Sequence, residues 1–358
     1  MLLRSLTLQD FRNVALATLE FSGRRQFFLG ANGQGKTNLL EAAGCLTALR
    51  SFRTSEIPAL IRQGATEAGV AYGIERERAG PARVAIRFRA EGKELWWDQE
   101  RIRRLADHLG QFPAVAFSSQ DLQLVRGPPA GRRRWLDLTL SAMDAGYLRA
   151  LQAYSRALAE RNRLLKTGQS GVAELAAFEH VLAESAVELV RLRRAGAAEL
   201  GSTLAAAYRR LCGEEESASL AYAADAEEAS AQDWRGFWER GRAADLRMRG
   251  TLRGPHRDDV RLGVAGSAAR EFASEGQQRS LVLSLRLAQA AWFHARSGVR
   301  ALILADDVLG ELDPDRRRRF WSALDPEAQV LASGTTAPGS EMGAWQMFLV
   351  EAGRFTLR

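Results

Sequence analysis

The sequence predicts an α/β fold: a nucleotide-binding head built on a parallel sheet and interrupted by a large helical insertion. Three observations carry this reading. A phosphate-binding loop stands at residues 30–37, and an apolar run that ends in paired acids stands at 301–307. Between Lys36 and Asp306 lie 269 residues whose pattern changes midway from strand-like alternation to helical periodicity. The loop lysine and the strand carboxylate have to meet at one polyphosphate, so most of what separates them is inserted into a single sheet.

Residues 26–29, Gln-Phe-Phe-Leu, form a short and largely apolar run that suits a buried strand, and residues 38–43, Asn-Leu-Leu-Glu-Ala-Ala, favour a helix. Between them Gly30-Ala31-Asn32-Gly33-Gln34-Gly35-Lys36-Thr37 matches G-x-x-x-x-G-K-[ST] at every fixed position, in the strand, loop, helix context the motif requires. The three glycines let successive backbone N–H groups, including those of Ala31, Asn32 and Gln34, curl around an anion at the positive end of the following helix. Lys36 supplies a mobile charge for the β- and γ-phosphates of ATP, and Thr37 a hydroxyl for Mg²⁺. At the second motif, Asp306 is the expected carboxylate for the Mg²⁺ shell, since this ion keeps most of its waters and takes one or two protein oxygens. Asp307 is the expected general base that orients and deprotonates the attacking water, so Asp307 and Lys36 form the catalytic pair.

The residues before the insertion read as strands at 70–76, 82–89, 94–98 and 113–117, separated by turn-forming Gly and Pro. From about residue 130 the period becomes helical. Tyr147, Leu151, Tyr154, Leu158 and Leu165 fall at heptad spacing, as do Leu175, Phe178, Leu182, Leu189 and Leu192, with a Gly-rich turn at 167–171 between the two sets. The pattern gives an antiparallel helical pair, a short coiled-coil-like lobe whose helices of about 30 residues would reach about 45 Å. Residues 213–232 read as a polar loop with one short strand at 220–222, and the chain is expected to re-enter the head near 250–257. The expected divisions are 1–125 for the N-terminal part of the head, 126–250 for the inserted lobe and 251–358 for the C-terminal part of the head.

With 358 residues and 46% apolar content, the chain can bury a core of more than one ordinary domain. Its net charge of +7 comes from 50 basic residues, of which only Lys36, Lys93 and Lys166 are lysine. A GC-rich coding bias produces the same exchange of arginine for lysine, so the sign of the charge is the stronger signal. It favours a polyanionic partner. Cys45 and Cys212 form no CxxC pair, and four scattered histidines give no ligand set beyond Mg²⁺, which fits a reducing compartment. No apolar stretch reaches the roughly 18 residues of a membrane span, and a cytoplasmic location is expected.

Three further segments resemble those of ABC-type ATPases. Ser274-Glu275-Gly276-Gln277-Gln278-Arg279 looks like their signature motif, Glu311-Leu312-Asp313 has the spacing of their D-loop, and residues 329–336 form a strand ending in Ser333, Thr335 and Thr336, one of which would sense the γ-phosphate. The fold implied is therefore an ABC-type P-loop ATPase head with an inserted helical lobe. In that class Ser274, Gly276 and Gln277 would close on the nucleotide of a second head.

A more specific resemblance is to the RecF family. It rests on residues 6–13, Leu-Thr-Leu-Gln-Asp-Phe-Arg-Asn; on the loop with its Asn38-Leu39-Leu40-Glu41-Ala42 tail; on the run from Asp121 through Gly127-Pro128-Pro129 to Arg132-Arg133-Arg134-Trp135-Leu136-Asp137; on Gly254-Pro255-His256-Arg257-Asp258-Asp259; and on the motifs at 274 and 306–313. The chain departs from the family pattern at Ser119-Gln120, Trp135 and Glu275. Gln120 is counted with Thr37 and Asp306 as a metal ligand on this resemblance. The family implies an ATP-dependent DNA-binding protein of recombinational repair and fork maintenance. It would be a slow, DNA-stimulated ATPase that dimerises head to head on ATP, binds duplex DNA near single-strand junctions, and helps RecA load with RecO and RecR. Basic clusters at 132–134, 191–194, 209–210 and 316–319 are candidate DNA contacts, and Arg132, Arg133 and Arg134 stand out because they lie inside a family-like run. The alternatives are an SMC- or Rad50-like tether or nuclease scaffold, the ATPase subunit of a membrane transporter, and a nucleotide-dependent scaffold that hardly hydrolyses ATP.

Overall fold

The computed structural model describes residues 1–54, 56–77, 80–167, 171–308, 314–339 and 342–358. In chain order the strands and helices are β1 (Leu2–Phe11), β2 (Val14–Glu20), β3 (Arg25–Leu29), α1 (Lys36–Ala48), β4 (Glu67–Arg76), β5 (Gly80–Arg89), β6 (Gly92–Trp97), β7 (Glu100–Ile102) and β8 (Ala114–Ser118). They continue as α2 (Gln123–Arg126), α3 (Pro129–Ser141), α4 (Ala145–Thr167), α5 (Val172–Cys212), β9 (Ala218–Ala223), α6 (Ala231–Met248), β10 (Asp259–Val264), β11 (Ser267–Ala268) and α7 (Ala269–Phe272). The last are α8 (Glu275–Ser297), β12 (Leu302–Asp306), α9 (Pro314–Ala323), β13 (Val330–Gly334), β14 (Gln346–Glu351) and β15 (Arg354–Leu357).

The chain divides into two compact units: residues 1–122, 206–216 and 279–358 form the first, and residues 123–205 and 217–278 the second. The first unit holds two six-stranded sheets. One is antiparallel, in the order β2-β1-β4-β5-β6-β7. Its strands alternate as a half-solvated sheet requires, with Ala82, Val84, Ile86 and Phe88 of β5 buried while Pro81, Arg83, Arg87 and Arg89 are exposed. The other has the order β15-β14-β3-β13-β12-β8, parallel throughout except for the β14–β15 hairpin. Its central strands β12 and β13 are apolar runs because both faces are covered. Leu6, Leu8, Val70 and Tyr72 of the first sheet, Leu39, Leu40 and Leu46 of α1, and Leu304 and Leu331 of the second share one core. The parallel register brings the C-terminal ends of β3, β13, β12 and β8 side by side, with Asp306 opposite both Ser333 and Ser118 and Gly334 opposite Leu29. Ligands of open parallel sheets bind at that edge.

The second unit contains α2, α3, α4, α6, α7, most of α5 and the small antiparallel sheet β11-β10-β9. The heptad stripes become buried faces: Tyr147, Tyr154, Leu165, Leu175, Leu182 and Leu189 are all at most 2% exposed. Helix α4 is shorter and α5 longer than the expected pair, at 23 and 41 residues. Residues 168–170 of the connecting turn lie outside the described residues. Gly196 allows a close approach of α5 to α3, since a Cβ there would stand 2.4 Å from Leu140 Cδ2. The chain does not leave this unit at 250–257 as expected. β10 pairs with β9 along its whole length, which keeps residues 251–278 with the helices, and the first unit resumes only at Arg279 within α8. The short strand expected at 220–222 is part of β9, and its pairing with β10 is the feature that the sequence did not reveal.

Candidate active site

The phosphate loop leaves β3 at Leu29 and enters α1 at Lys36. Gly33 and Gly35 take left-handed φ values of 80° and 115°, and a Cβ at Gly30 would stand 2.4 Å from the Val350 carbonyl oxygen, so each glycine is required for its own reason. The loop is held from both sides. Gly353 N–H donates to the Gln34 carbonyl at 2.8 Å, Ala352 N–H to Gln34 Oε1 at 2.8 Å, and Gly30 N–H to the Gly334 carbonyl at 3.2 Å. Ala31, Asn32 and Gly33 are exposed at the rim. Lys36 is buried, and its ammonium donates to the carbonyls of Gly30 at 2.7 Å and Ala31 at 2.9 Å. Helix α1 has no acidic residue of its own in its first turn, so its positive end faces groups from outside the helix.

The carboxylates come from the parallel sheet. Thr37 Oγ1 donates to Asp306 Oδ1 at 2.9 Å, and Ser333 Oγ donates to the same oxygen at 2.8 Å. Burial raises the Asp306 pKa above the usual carboxylate range, and the bonds from Ser333 and Thr37 and the charge of Arg53 oppose that shift. Asp307 is the first residue beyond β12 and takes a left-handed φ of 57°, a conformation that costs a non-glycine residue about 1–2 kcal/mol. Its N–H donates to Ser333 Oγ at 3.1 Å, so one fully buried hydroxyl fixes both acids. Thr335 and Thr336 are exposed. Gln120 lies two residues beyond the end of β8, at the edge that carries Asp306, and is exposed. Its turn is braced by buried Asp121, which accepts from Ser118 N–H at 3.0 Å and Arg286 Nη2 at 2.6 Å. A carboxylate oxygen and a hydroxyl at one point, with a side-chain amide on the same edge, fit a hard cation that takes few protein ligands.

Sequence reasoning gave no role to a charged cluster behind the loop. Fully buried Glu41 of α1 accepts from Arg12 Nε at 2.9 Å and Nη2 at 2.7 Å, from Arg53 Nη1 at 3.1 Å, and from Ser51 Oγ. Arg53 also donates to Asn38 Oδ1 at 3.0 Å, and its charge acts on Asp306. The Arg12-Asn13 pair and the Glu41 tail, both within the family-like segments, were the available signals. Arg53 had none.

The remaining expected site residues fall elsewhere. Ser274, Gly276 and Gln277 belong to the second unit, at the start of α8, where Ser274 Oγ accepts from Gln277 N–H at 3.2 Å and Gln277 Oε1 accepts from Ser274 N–H at 2.8 Å, a reciprocal cap. Ser274 is exposed. The D-loop residues 311–313 lie outside the described residues. The expected role of Arg132 in DNA contact is corrected: it is 7% exposed, donates to Asp259 at 2.8 and 2.9 Å, and spends Nη1 on the carbonyls of Leu124 and Gly127. Those bonds commit it to bracing the second unit. Arg133 is half-buried and donates to the Asp258 carbonyl at 2.5 Å, whereas Arg134 is exposed. Arg193 of the 191–194 cluster is likewise buried, paired with Asp137 and Asp258.

A family model described as the RecF/RecN/SMC N-terminal domain matches residues 2–337. The DNA replication and repair protein RecF of Symbiobacterium thermophilum is 38% identical over 100% of this chain and 98% of its own length. Its counterpart from Synechocystis sp. is 35% identical over 94% of this chain and 92% of its own. Among solved structures, the recombination mediator protein RecF with ATP, of the RecFOR pathway, has a TM-score of 0.90 at 25% identity, covering 99% of this chain and 97% of that one. The Smc head domain of Pyrococcus furiosus has a TM-score of 0.54 at 17% identity, covering 99% and 95%, a likeness of fold alone. The fold is thus that of an ABC-type ATPase head with a helical insertion. Among the described residues no helix is long and apolar enough to cross a membrane.

Proposed function

The chain belongs to the RecF family, and on that premise we propose that it is a Mg·ATP-dependent DNA-binding protein of recombinational repair and fork maintenance, whose two copies close head to head over two nucleotides. The observation that carries this reading is the meeting of Thr37, Asp306 and Ser333 at the mouth of the phosphate loop, from segments 269 residues apart in sequence. Lys36 exchanges the carbonyls of Gly30 and Ala31 for the β- and γ-phosphates of ATP. Thr37, Asp306 and Gln120 would hold Mg²⁺, which when bound neutralises phosphate charge. Asp307 orients the attacking water and takes its proton. Ser274, Gly276 and Gln277 serve the nucleotide of the partner copy, so ATP is the glue of the dimer. An aspartate base reaches one methylene less than a glutamate, which fits slow turnover, stimulated by DNA. The duplex near a single-strand junction is the proposed substrate surface, with RecR, RecO and RecA as partners and the cytoplasm as the site of action.

Asp307→Asn tests the site. The variant should bind ATP as the parent does and persist as an ATP-bound dimer, while hydrolysis falls by about 10²–10⁴-fold, the usual worth of a positioned general base. Unchanged turnover would remove Asp307 from the role of base.

A further inference from the structure

The run Gly254-Pro255-His256-Arg257-Asp258-Asp259 takes no part in the phosphate loop or the paired acids, and it lies wholly in the second unit. Five of its six residues are tied inward. Gly254 N–H donates to Asp225 Oδ2 at 2.9 Å, and its φ of 130° excludes other residues. The Pro255 carbonyl accepts from Arg193 Nη1 at 2.7 Å. Both nitrogens of His256 are engaged, Nδ1 with Tyr154 Oη at 2.8 Å and Nε2 with the Thr251 carbonyl at 2.9 Å. Asp258 is 1% exposed and accepts from Arg193, from Tyr222 and from Asp225 N–H, while Asp259 pairs with Arg132.

Arg257 is the exception. Its backbone N–H is fixed to the Gly254 carbonyl at 2.8 Å, but its side chain is exposed and, among the described residues, has no hydrogen bond or ion pair. The carboxylates in its neighbourhood are already spent: Asp225 on Gly254 and Arg253, Asp258 on Arg193, Asp259 on Arg132. A second guanidinium reaches the same turn, because Arg133 donates through Nη1 to the carbonyl of the very next residue, Asp258. Burial first, and then the charges of Arg257 and Arg133, lower the pKa of the His256 ring, so both guanidinium charges are felt at this turn. A rigid turn that presents one free guanidinium next to a second, half-engaged one is suited to an anion approaching from solvent.

We propose that Arg257, assisted by Arg133, contacts a phosphodiester of duplex DNA. The proposal rests on the DNA-binding reading above and assigns that contact to the motif at 254–259 in place of Arg132. Affinity for a short duplex is measured on the full chain with ATP across a series of salt concentrations, for the parent, Arg257→Gln and Arg257→Glu. Loss of one phosphate contact should reduce the slope of log K against log salt by about 0.9 in the Gln variant and weaken unrelated sequences alike. The Glu variant should bind more weakly still, with both melting as the parent does. If the parent binds duplex DNA and both variants keep its slope and affinity, the assignment of Arg257 is overturned while the DNA-binding reading stands. If instead the variants lose binding to poly-L-glutamate and keep the parental DNA slope, the turn serves an acidic protein and the proposal falls. A parent that binds no duplex with ATP overturns both.

Discussion

Replacing Arg132 by Met removes the side chain that ties α3 to β10. Four hydrogen bonds go with it: 2.8 and 2.9 Å to Asp259, 3.3 Å to the Leu124 carbonyl and 2.9 Å to the Gly127 carbonyl. Removing one partner of a fully buried pair costs about 3–5 kcal/mol, chiefly because the other charge is stranded. Here the stranded Asp259 side chain is 27% exposed and can recover water, so the cost should be smaller, about 2–3 kcal/mol. At about 2–4 °C per kcal/mol, the second unit should melt roughly 4–12 °C lower. Unfolding is followed by tryptophan fluorescence, for which Trp135 on the same helix is a buried reporter, and the DNA salt slope is measured on the same preparation. The slope should equal that of the parent. Melting unchanged to about 1 °C together with a slope reduced by about 0.9 would refute the bracing role and restore the phosphate contact. Adding Asp259→Leu should recover part of the loss, since an apolar pair often replaces a buried ion pair at little cost.

Ser333→Ala takes a donor from Asp306 and an acceptor from the Asp307 N–H. It should lower kcat by about tenfold, near the low end of what two lost hydrogen bonds are worth, with the ATP Kd within about threefold of the parent; equal losses in both would mean the hydroxyl only supports the fold. Lys93, whose ammonium donates to the Leu49 carbonyl at 2.6 Å, has its pKa lowered by burial from 10.5 to about 8. Between those values the unfolded chain binds more protons, so stability should rise with pH across the window, by on the order of 3 kcal/mol, and be flat in this group below it. Denaturant titrations at the two ends, compared with Lys93→Met, check this. The same rise in both proteins would contradict it.

The loop at 30–37, the strand ending at Asp306 and the helical insertion were legible because each is written in a contiguous run with its own period or glycine pattern. Ser333 was visible only as one of three hydroxyl residues at a strand end; the parallel register, opposite Asp306, singles it out. Arg132 misled because a buried, paired arginine and a DNA-facing one look the same in sequence, and the partner, Asp259, is 127 residues away. Of the sheet β9-β10-β11 only β9 was legible, as the short strand at 220–222; its partner β10 lies beyond α6, and that long-range pairing keeps residues 251–278 in the second unit. Arg53 gave no signal because its tie to Glu41 and Asn38, and the charge it brings toward Asp306, arise only once the chain is folded.

The shared-site dimer is tested most directly by mixing two silent variants. Lys36→Met lacks the phosphate cation, and Ser274→Arg lacks the residue given to the partner copy. Each should hydrolyse no ATP alone. In a heterodimer, whose formation is verified by sedimentation, one of the two composite sites has both an intact loop and an intact Ser274, so hydrolysis should return on mixing. A verified heterodimer no more active than either variant alone would contradict the account.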